Sequence, residues 1–196
     1  MNSKISLIIP VFNESNEIEN FFNELKKCDF NKINEIIFID DCSTDNSNEL
    51  LKKKIAEFKQ GNFDLNLLLI NNLKNRGYGF SIKKGVAISS NDSIAIIDLD
   101  RTYKIEDLNL LAKIFIEDYN LKYDLIAGER SINSKNTSKL KILGKKIINT
   151  LTNFCFNETI VDYNSGLRIF SKSKFIKHSH IMSDKFSLTT SMTISF

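Results

Sequence analysis

Two stretches of sequence decide the fold: Glu35-Ile-Ile-Phe-Ile-Asp40-Asp41 and Ser93-Ile-Ala-Ile-Ile-Asp98-Leu-Asp100. Each is an apolar run, of the kind buried on both faces of a parallel sheet, that ends in carboxylates. Ligands of open α/β sheets bind beyond the carboxyl ends of the strands, so acidic residues there can reach a bound molecule. The two runs therefore predict parallel strands with a polar ligand site at one shared edge.

Strands and helices alternate around these two runs. Strands are predicted over residues 4–10, 35–39, 65–70, 93–97 and 124–127. Pro10 has no amide hydrogen and is expected to end the first strand. Helical periodicity begins near residues 15, 45, 79 and 105, with Ile82, Val86, Ala87 and Ile114 predicted to face inward. Right-handed crossovers of this length imply an α/β fold, with a mostly parallel, Rossmann-like sheet flanked by helices on both faces.

The composition is that of one soluble globular domain. The chain has 196 residues, of which 42% are hydrophobic and 26% charged. Its net charge of +3 is too small to indicate a nucleic-acid partner, and no Lys/Arg block exceeds three residues, so none is expected. Three widely spaced cysteines predict neither disulfides nor a zinc site and favour a reducing, cytoplasmic location. No run approaches the roughly 20 apolar residues of a membrane-spanning helix. The abrupt end at Phe196 is compatible with a truncated carboxyl terminus.

Six motifs follow one another along the chain. They are Ile8-Ile-Pro-Val-Phe-Asn-Glu14, Asp40-Asp-Cys-Ser-Thr-Asp45, Asn75-Arg-Gly-Tyr-Gly79, Asp98-Leu-Asp100, Gly128-Glu-Arg130 and Asp162-Tyr-Asn-Ser-Gly-Leu-Arg168. In this order and spacing the chain resembles the family 2 glycosyltransferases, most of all their dolichol-phosphate mannosyltransferase and polyprenyl-phosphate branch. The resemblance implies a single GT-A domain over residues 1–196. About residues 1–100 would bind a nucleotide-sugar, and about residues 101–196 would bind the acceptor.

The resemblance implies that the first half holds the donor. Pro10, Phe12 and Glu14 are expected beside the base and ribose. Asp40 and Asp41 are expected to accept hydrogen bonds from them, because nucleobase amides and ribose hydroxyls are donors. The alternative for Asp40 is that it only caps the next helix.

Two further segments refine the donor site. Asn75 and Gly77 belong to a loop whose glycines allow close backbone approach to a ligand. This loop is not a GxGxxG fingerprint, so a dinucleotide cofactor is disfavoured. Asp45 directly precedes a helical pattern and is interpreted as a helix cap.

Asp98 and Asp100 are predicted to bind a divalent metal ion. Two carboxylates at the end of a strand offer the hard oxygen ligands that Mg²⁺ or Mn²⁺ prefers, and such an ion neutralises a departing diphosphate. Thr102 occupies the position of a possible further ligand. The alternative is that Asp100 caps a helix and Asp98 is incidental.

The acceptor residues are expected in the second half. The resemblance implies that Arg130 faces the acceptor phosphate and acts in catalysis. Lys141 and Lys145 stand where the family has an arginine and a serine. Lysine supplies the charge of a phosphate contact without the planar fork of a guanidinium. Residues 139–156 form a basic amphipathic pattern, which either lies on an anionic membrane surface or packs in the core.

Two residues of the last motif complete the prediction. Asp162 is a candidate catalytic residue, as a base for a hydroxyl acceptor or as a group that positions a phosphate acceptor, which needs no base. Arg168 is expected either to contact the acceptor phosphate or to pair with a loop carboxylate.

The predicted function is transfer of a sugar, with inversion, from a nucleoside-diphosphate sugar to a polyprenyl phosphate. The enzyme would act peripherally at the cytosolic face of a membrane. One alternative is a glycosyltransferase that acts on a sugar hydroxyl of a glycan. Another is a nucleotide-sugar-binding module without turnover. A nucleotidyltransferase is disfavoured because no glycine-rich basic loop follows the first strand.

Overall fold

The structure, a computed structural model, describes residues 4–28, 30–61, 65–100, 102–117, 123–129 and 162–196. Strands and helices alternate through most of them. Their bounds are β1 (Ile5–Val11), α1 (Ser15–Leu25), β2 (Ile33–Asp40), α2 (Ser47–Lys59), β3 (Asn66–Asn71), α3 (Tyr78–Ile88), β4 (Ser93–Ile96), α4 (Ile105–Glu117), β5 (Leu125–Ala127), β6 (Arg168–Ser171), α5 (Lys172–His178) and α6 (Leu188–Ser195). Within these described ranges, none of the helices has the length and apolar character needed to cross a membrane.

The strands form one six-stranded sheet in the order β3-β2-β1-β4-β6-β5. The first four in this order are parallel to one another, as expected from the crossovers between them. β6 pairs antiparallel with both β4 and β5. The mostly parallel α/β sheet is therefore confirmed, while the antiparallel strand β6 was not predicted.

Helices cover both faces of the sheet, and each face has its own apolar core. On one face, α1, α2 and α4 pack on the strands around an aromatic cluster in which Phe22 stacks on Phe38, with ring centroids 5.5 Å apart. On the other face, α3, α5 and α6 cover residues such as Ile8 and Ile37. Successive side chains of a strand point to opposite faces, so an unbroken apolar run supplies both cores.

Three details of the sequence prediction were wrong. Pro10 does not end β1, which continues to Val11. Pro10 faces β4, whose pairing with β1 stops at Ile8, so its missing amide costs no ladder bond. Ala87 and Ile114 are exposed. The buried hydrophobic residues are Ile82 and Val86 in α3, and Ile105, Leu108 and Ala112 in α4, which are spaced three or four residues apart.

Candidate active site

A cavity of about 610 Å³ lies beyond the carboxyl ends of the parallel strands. Eight of the predicted site residues line it, namely Pro10, Phe12, Glu14, Asp41, Asn75, Gly77, Asp98 and Asp100. They come from the ends of three strands and from the loop before α3, which parallel pairing brings to one edge. The volume is in the range that suits a ligand the size of a nucleotide, about 300–1,000 Å³.

The two aspartates that follow β4 differ in environment. Asp98 is partly buried, and a Cβ added at Gly166 would lie only 2.6 Å from its Cγ. Asp100 is exposed and accepts a hydrogen bond from the amide of Thr102 at 3.0 Å. The loop before β6 therefore packs on Asp98, and Asp100 is open to the cavity.

Negative charge accumulates around this pair. Burial raises the pKa of Glu14, and the charges of Asp100, Glu17 and Asp98 raise it further. Burial and then the charge of Asp98 also raise the pKa of Tyr78 well above its ordinary value of 10.0, so its hydroxyl stays protonated beside the carboxylate. A cavity with this electrostatic character attracts cations.

The residues present fit a divalent cation that takes part of its ligands from the protein and the rest from a bound phosphate and water. Within the ranges that the structure describes, no group of three or more His, Cys, Asp or Glu side chains is arranged to hold a metal ion. Asp98 and Asp100 nevertheless line the same cavity. Carboxylate oxygens suit Mg²⁺ or Mn²⁺, and Mg²⁺ commonly takes one or two carboxylates together with phosphate oxygens and water.

Asp41 organises the loop between β3 and α3. Its Oδ1 accepts hydrogen bonds from Asn72 Nδ2 at 2.7 Å and from the amide of Arg76 at 2.9 Å. Its Oδ2 accepts from the amide of Gly77 at 2.7 Å. Gly77 has a φ of +97°, which favours glycine. Asp41 thus holds the part of the cavity wall that Asn75 and Gly77 form.

Asp40 has a different environment from the one predicted. It is buried outside the cavity lining, where Oδ1 accepts from Ser43 Oγ at 2.5 Å and Oδ2 accepts from Asn48 Nδ2 at 3.0 Å. Asp40 therefore does not line the cavity with Asp41, and its carboxylate is engaged by contacts within the protein. The reason is that Asp40 is still the last residue of β2, and the chain leaves the sheet only after it.

Asp45 acts at the start of two helices. Its Oδ1 accepts from the amide of Ser47, the first residue of α2, at 2.9 Å, and Oδ2 accepts from the amide of Ser15, the first residue of α1, at 3.2 Å. Burial raises its pKa, but the hydrogen bonds from Ser47 and Ser15 outweigh this and lower the pKa to about 2. Asp45 therefore satisfies the first amide of both helices, although the N-cap residues themselves are Asn46 of α2 and Glu14 of α1.

Arg168 lies beneath the cavity, not in it. Its side chain is 0% exposed. The guanidinium donates to the carbonyls of Ser165 and Tyr163 at 2.8 and 2.6 Å, and to Thr193 Oγ1 at 2.6 Å. Burial lowers its pKa to about 10, partly offset by the negative charge of Asp162 among others. Arg168 thus does not line the cavity, and these hydrogen bonds go to backbone carbonyls and a hydroxyl, not to the loop carboxylate of the predicted alternative.

Asp162 is also largely buried. It is 7% exposed, does not line the cavity, and accepts from the amide of Asn164 at 3.3 Å. Arg130, Lys141, Lys145 and the basic segment 139–156 lie outside the described residues.

Some cavity residues were not predicted from the sequence as site residues. They are Tyr78, Ser81, Asn164, Gly166, Phe186 and Thr189, together with the apolar Val11 and Leu99. The motif at 162–168 already contained Asn164 and Gly166, and their spacing from Arg168 could have indicated a loop at the cavity. No local pattern marks Phe186, because it reaches the cavity through tertiary packing alone.

Comparison with known proteins supports the resemblance that the motifs suggested. A family model described as "Glycosyl transferase family 2" matches residues 6–179. The chain is 29% identical over 137 residues to a dolichyl-phosphate beta-glucosyltransferase of Dictyostelium discoideum, which covers 66% of this chain and 41% of that protein. It is 29% identical over 182 residues to a UDP-N-acetylglucosamine–dolichyl-phosphate N-acetylglucosaminyltransferase of Methanococcus voltae, covering 86% of this chain and 70% of the relative.

A similar fold occurs in a solved structure. Glucosyl-3-phosphoglycerate synthase from Mycobacterium tuberculosis, in complex with Mn²⁺, UDP and glucosyl-3-phosphoglycerate, has a TM-score of 0.71 at 14% identity. The match covers 98% of this chain and 64% of the other. At this identity the likeness concerns the architecture only. The chain thus spans less than two thirds of that structure and 41% of the first curated relative.

Proposed function

The chain belongs to glycosyl transferase family 2 and has the GT-A fold, and from this premise we propose that it transfers a sugar from a nucleoside-diphosphate sugar to a polyprenyl phosphate. One observation carries the proposal: Glu14, Asp98 and Asp100 line the same cavity as the loop before α3 that Asp41 holds in place. Transfer requires a divalent cation, inverts the anomeric centre and takes place at the cytosolic surface of a membrane.

The donor lies along the edge of the sheet. Its base and ribose contact Phe12 and the wall formed by Asn75 and Gly77, next to the ends of β1 and β2. Its diphosphate meets Asp98 and Asp100 after β4. The charges of Asp100 and Asp98, which raise the pKa of Glu14 beyond the effect of its burial, support this arrangement, because they create a negative potential that a metal diphosphate neutralises.

Asp98 and Asp100 hold the divalent cation, Mg²⁺ or Mn²⁺. When bound, the cation neutralises the charge that develops on the departing nucleoside diphosphate. The protein's own residues provide positioning: the backbone at Gly166 packs closely against Asp98, and Asp41 holds the loop wall through three hydrogen bonds. Held groups of this kind lower the barrier because they are already oriented when the substrate binds.

A polyprenyl phosphate is favoured over a sugar hydroxyl as acceptor. The two relatives described above are named for dolichyl phosphate. A hydroxyl acceptor needs a base, and the candidate base Asp162 is 7% exposed and lies outside the cavity lining. An ionised phosphate needs no base. Its oxygen attacks the anomeric carbon from the side opposite the diphosphate, which inverts that centre. Arg130, Lys141 and Lys145 are proposed to bind this phosphate.

The test compares Asp100→Asn with Asp92→Asn. Asp92 is an exposed carboxylate at the opposite end of β4, which makes it a matched control. Melting temperatures are measured with UDP, GDP and their sugars, with and without Mn²⁺. Ligand at a hundredfold excess over Kd adds about 2.7 kcal/mol, or about 5–10 °C for a chain of this size. The Mn²⁺-dependent part of this shift should disappear in Asp100→Asn and persist in Asp92→Asn.

Turnover is measured with undecaprenyl phosphate and with oligosaccharide acceptors, and the anomeric configuration of the product is read by NMR. Lipid-linked product of inverted configuration, lost in Asp100→Asn, is the expected result. Product from oligosaccharides alone would refute the lipid acceptor, and an unchanged Mn²⁺ effect in Asp100→Asn would refute the metal assignment.

A further inference from the structure

Phe186 is a large aromatic residue that remains open to solvent inside the cavity. It is 81% exposed and lines the same cavity as Asp98 and Asp100. Single exposed apolar side chains are common on protein surfaces, but a ring that lines a polar cavity offers its apolar face to whatever ligand binds there.

The ring of Phe186 is held in place from behind. It stacks on the ring of Tyr78, with centroids 6.0 Å apart and planes inclined by 19°. The two rings form a unit, called here the aromatic platform, with Phe186 at the front and Tyr78, whose hydroxyl is buried, behind it. Stacking of this kind fixes the orientation of the exposed ring.

The segment that carries Phe186 is fixed to the start of α3. A Cβ added at Gly79 would lie 2.7 Å from the carbonyl carbon of Asp184, so the two backbones are in close contact. The amide of Phe80 donates to the carbonyl of Asp184 at 3.0 Å, and Lys83 Nζ donates to Asp184 Oδ1 at 2.7 Å. Phe186 is therefore presented by ordered backbone, not by a free loop tip.

Polar groups flank the aromatic platform. Asn164 and Thr189 line the same cavity, and the hydroxyls of Thr189 and Thr190 donate to Asn164 Oδ1 at 3.3 and 2.5 Å. An aromatic face next to amide and hydroxyl groups matches a pyranose ring, which has an apolar C–H face and a rim of hydroxyls.

The order of the strands indicates which part of the donor the platform meets. Phe12 follows β1, the aspartate pair follows β4, and Asn164 precedes β6 on the far side of β4 from β1. A nucleotide with its base near Phe12 and its diphosphate at Asp98 therefore directs its sugar toward Asn164. Phe186 lines the same cavity and is linked to Asn164 through Thr189, whose hydroxyl lies within hydrogen-bond distance of Asn164 Oδ1 and of the carbonyl of Phe186.

We infer that the pyranose ring of the donor stacks on Phe186, backed by Tyr78, with Asn164 and Thr189 at its hydroxyls. The inference rests on the proposed function and deepens it, since it assigns the subsite for the transferred sugar.

The test separates the sugar from the nucleotide. Dissociation constants are measured by calorimetry, with Mn²⁺, for UDP, UDP-glucose, UDP-N-acetylglucosamine, GDP and GDP-mannose. The variants are Phe186→Leu, Phe186→Ala and Phe186→Tyr, with Ile181→Ala as a matched control. Ile181 is an apolar residue of the same segment that is 61% exposed and does not line the cavity. Melting temperatures of the unliganded variants verify folding.

The expected result is selective for the sugar. Phe186→Leu and Phe186→Ala lower the affinity for the nucleotide-sugar that the wild type binds by about three- to tenfold and leave the affinity for the corresponding nucleoside diphosphate unchanged. Phe186→Tyr and Ile181→Ala change neither affinity. Equal weakening of diphosphate and nucleotide-sugar would overturn the inference in favour of base stacking. An unchanged affinity in Phe186→Leu and Phe186→Ala would overturn it outright. If the wild type binds none of the five ligands, the donor assignment itself fails and the sugar subsite fails with it.

Discussion

Replacing Gly166 with alanine should disable the donor site through Asp98. An added Cβ would lie 2.6 Å from Cγ of Asp98 and closer still to Oδ2, whereas ordinary van der Waals contact begins at 3.4 Å. The carboxyl carbon must therefore retreat by about 0.8 Å to reach ordinary contact. A displacement of about 1 Å at a reacting centre can cost about a hundredfold in rate. We expect Mn²⁺-dependent nucleoside diphosphate binding to weaken ten- to a hundredfold, or by about 1.4–2.7 kcal/mol.

The assay is calorimetry in the presence of Mn²⁺ on wild type, Gly166→Ala, Asp98→Ala and the double variant. If the alanine acts by displacing Asp98, it has little further effect once that carboxylate is gone, so the two effects should be strongly non-additive. Gly128→Ala is the control, because its added Cβ meets only the side chain of Leu167, at 3.0 Å. Additive effects of the two substitutions would refute the reasoning, as would wild-type binding by Gly166→Ala.

Three further predictions concern groups that shape the site. Asp41→Asn should lower the free energy of unfolding by about 1–3 kcal/mol and speed hydrogen exchange at the amides of Arg76 and Gly77, which then lose a charged acceptor; unchanged protection of these amides in NMR would contradict this. Because the pKa of Glu14 is raised in the folded protein, ionisation of its carboxyl group destabilises the fold. This destabilisation is absent below the ordinary pKa of 4.5 and grows as the pH rises through the pKa of the folded protein. Urea unfolding should therefore show that Glu14→Gln gains stability over wild type between about pH 4 and about pH 7, and a constant difference would exclude the effect. Arg168→Lys should cost about 3 kcal/mol in urea unfolding, because lysine cannot span the three acceptors that the buried guanidinium reaches; a wild-type midpoint would show that these contacts matter little.

The parallel core of the fold could be predicted because its signal is local. Each of the strands β1, β2 and β4 is an apolar run long enough to read in the sequence, and an amphipathic helix follows each. β6 could not be predicted in this way. It has four residues, begins with the charged Arg168, and is defined by its pairing with β4 and β5, which are distant in sequence. A buried arginine in a strand is favourable only because tertiary contacts satisfy its donors.

The donor half of the candidate site was predictable for the same reason. Phe12, Asp98 and Asp100 directly follow strands that the sequence reveals, so the sheet brings them to one edge. The neighbouring Asp40 and Asp41 illustrate the limit. Adjacent side chains on a strand end face opposite ways, and only the register of β2 decides that Asp41, not Asp40, lines the cavity. Phe186 joins the site by tertiary packing alone, without any signal in its own segment.

The antiparallel pairing of β5 with β6 has a consequence for the precision of the cavity wall. Ala127 pairs with Arg168, and the amide of Gly128 donates to the carbonyl of Leu167 at 2.9 Å, so the short strand β5 anchors the chain on which Gly166 lies. A slip of β6 by one residue would turn each of its side chains to the opposite face of the sheet and would carry Gly166 away from Asp98. The smallest strand of the sheet therefore sets the alignment of a residue at the centre of the site.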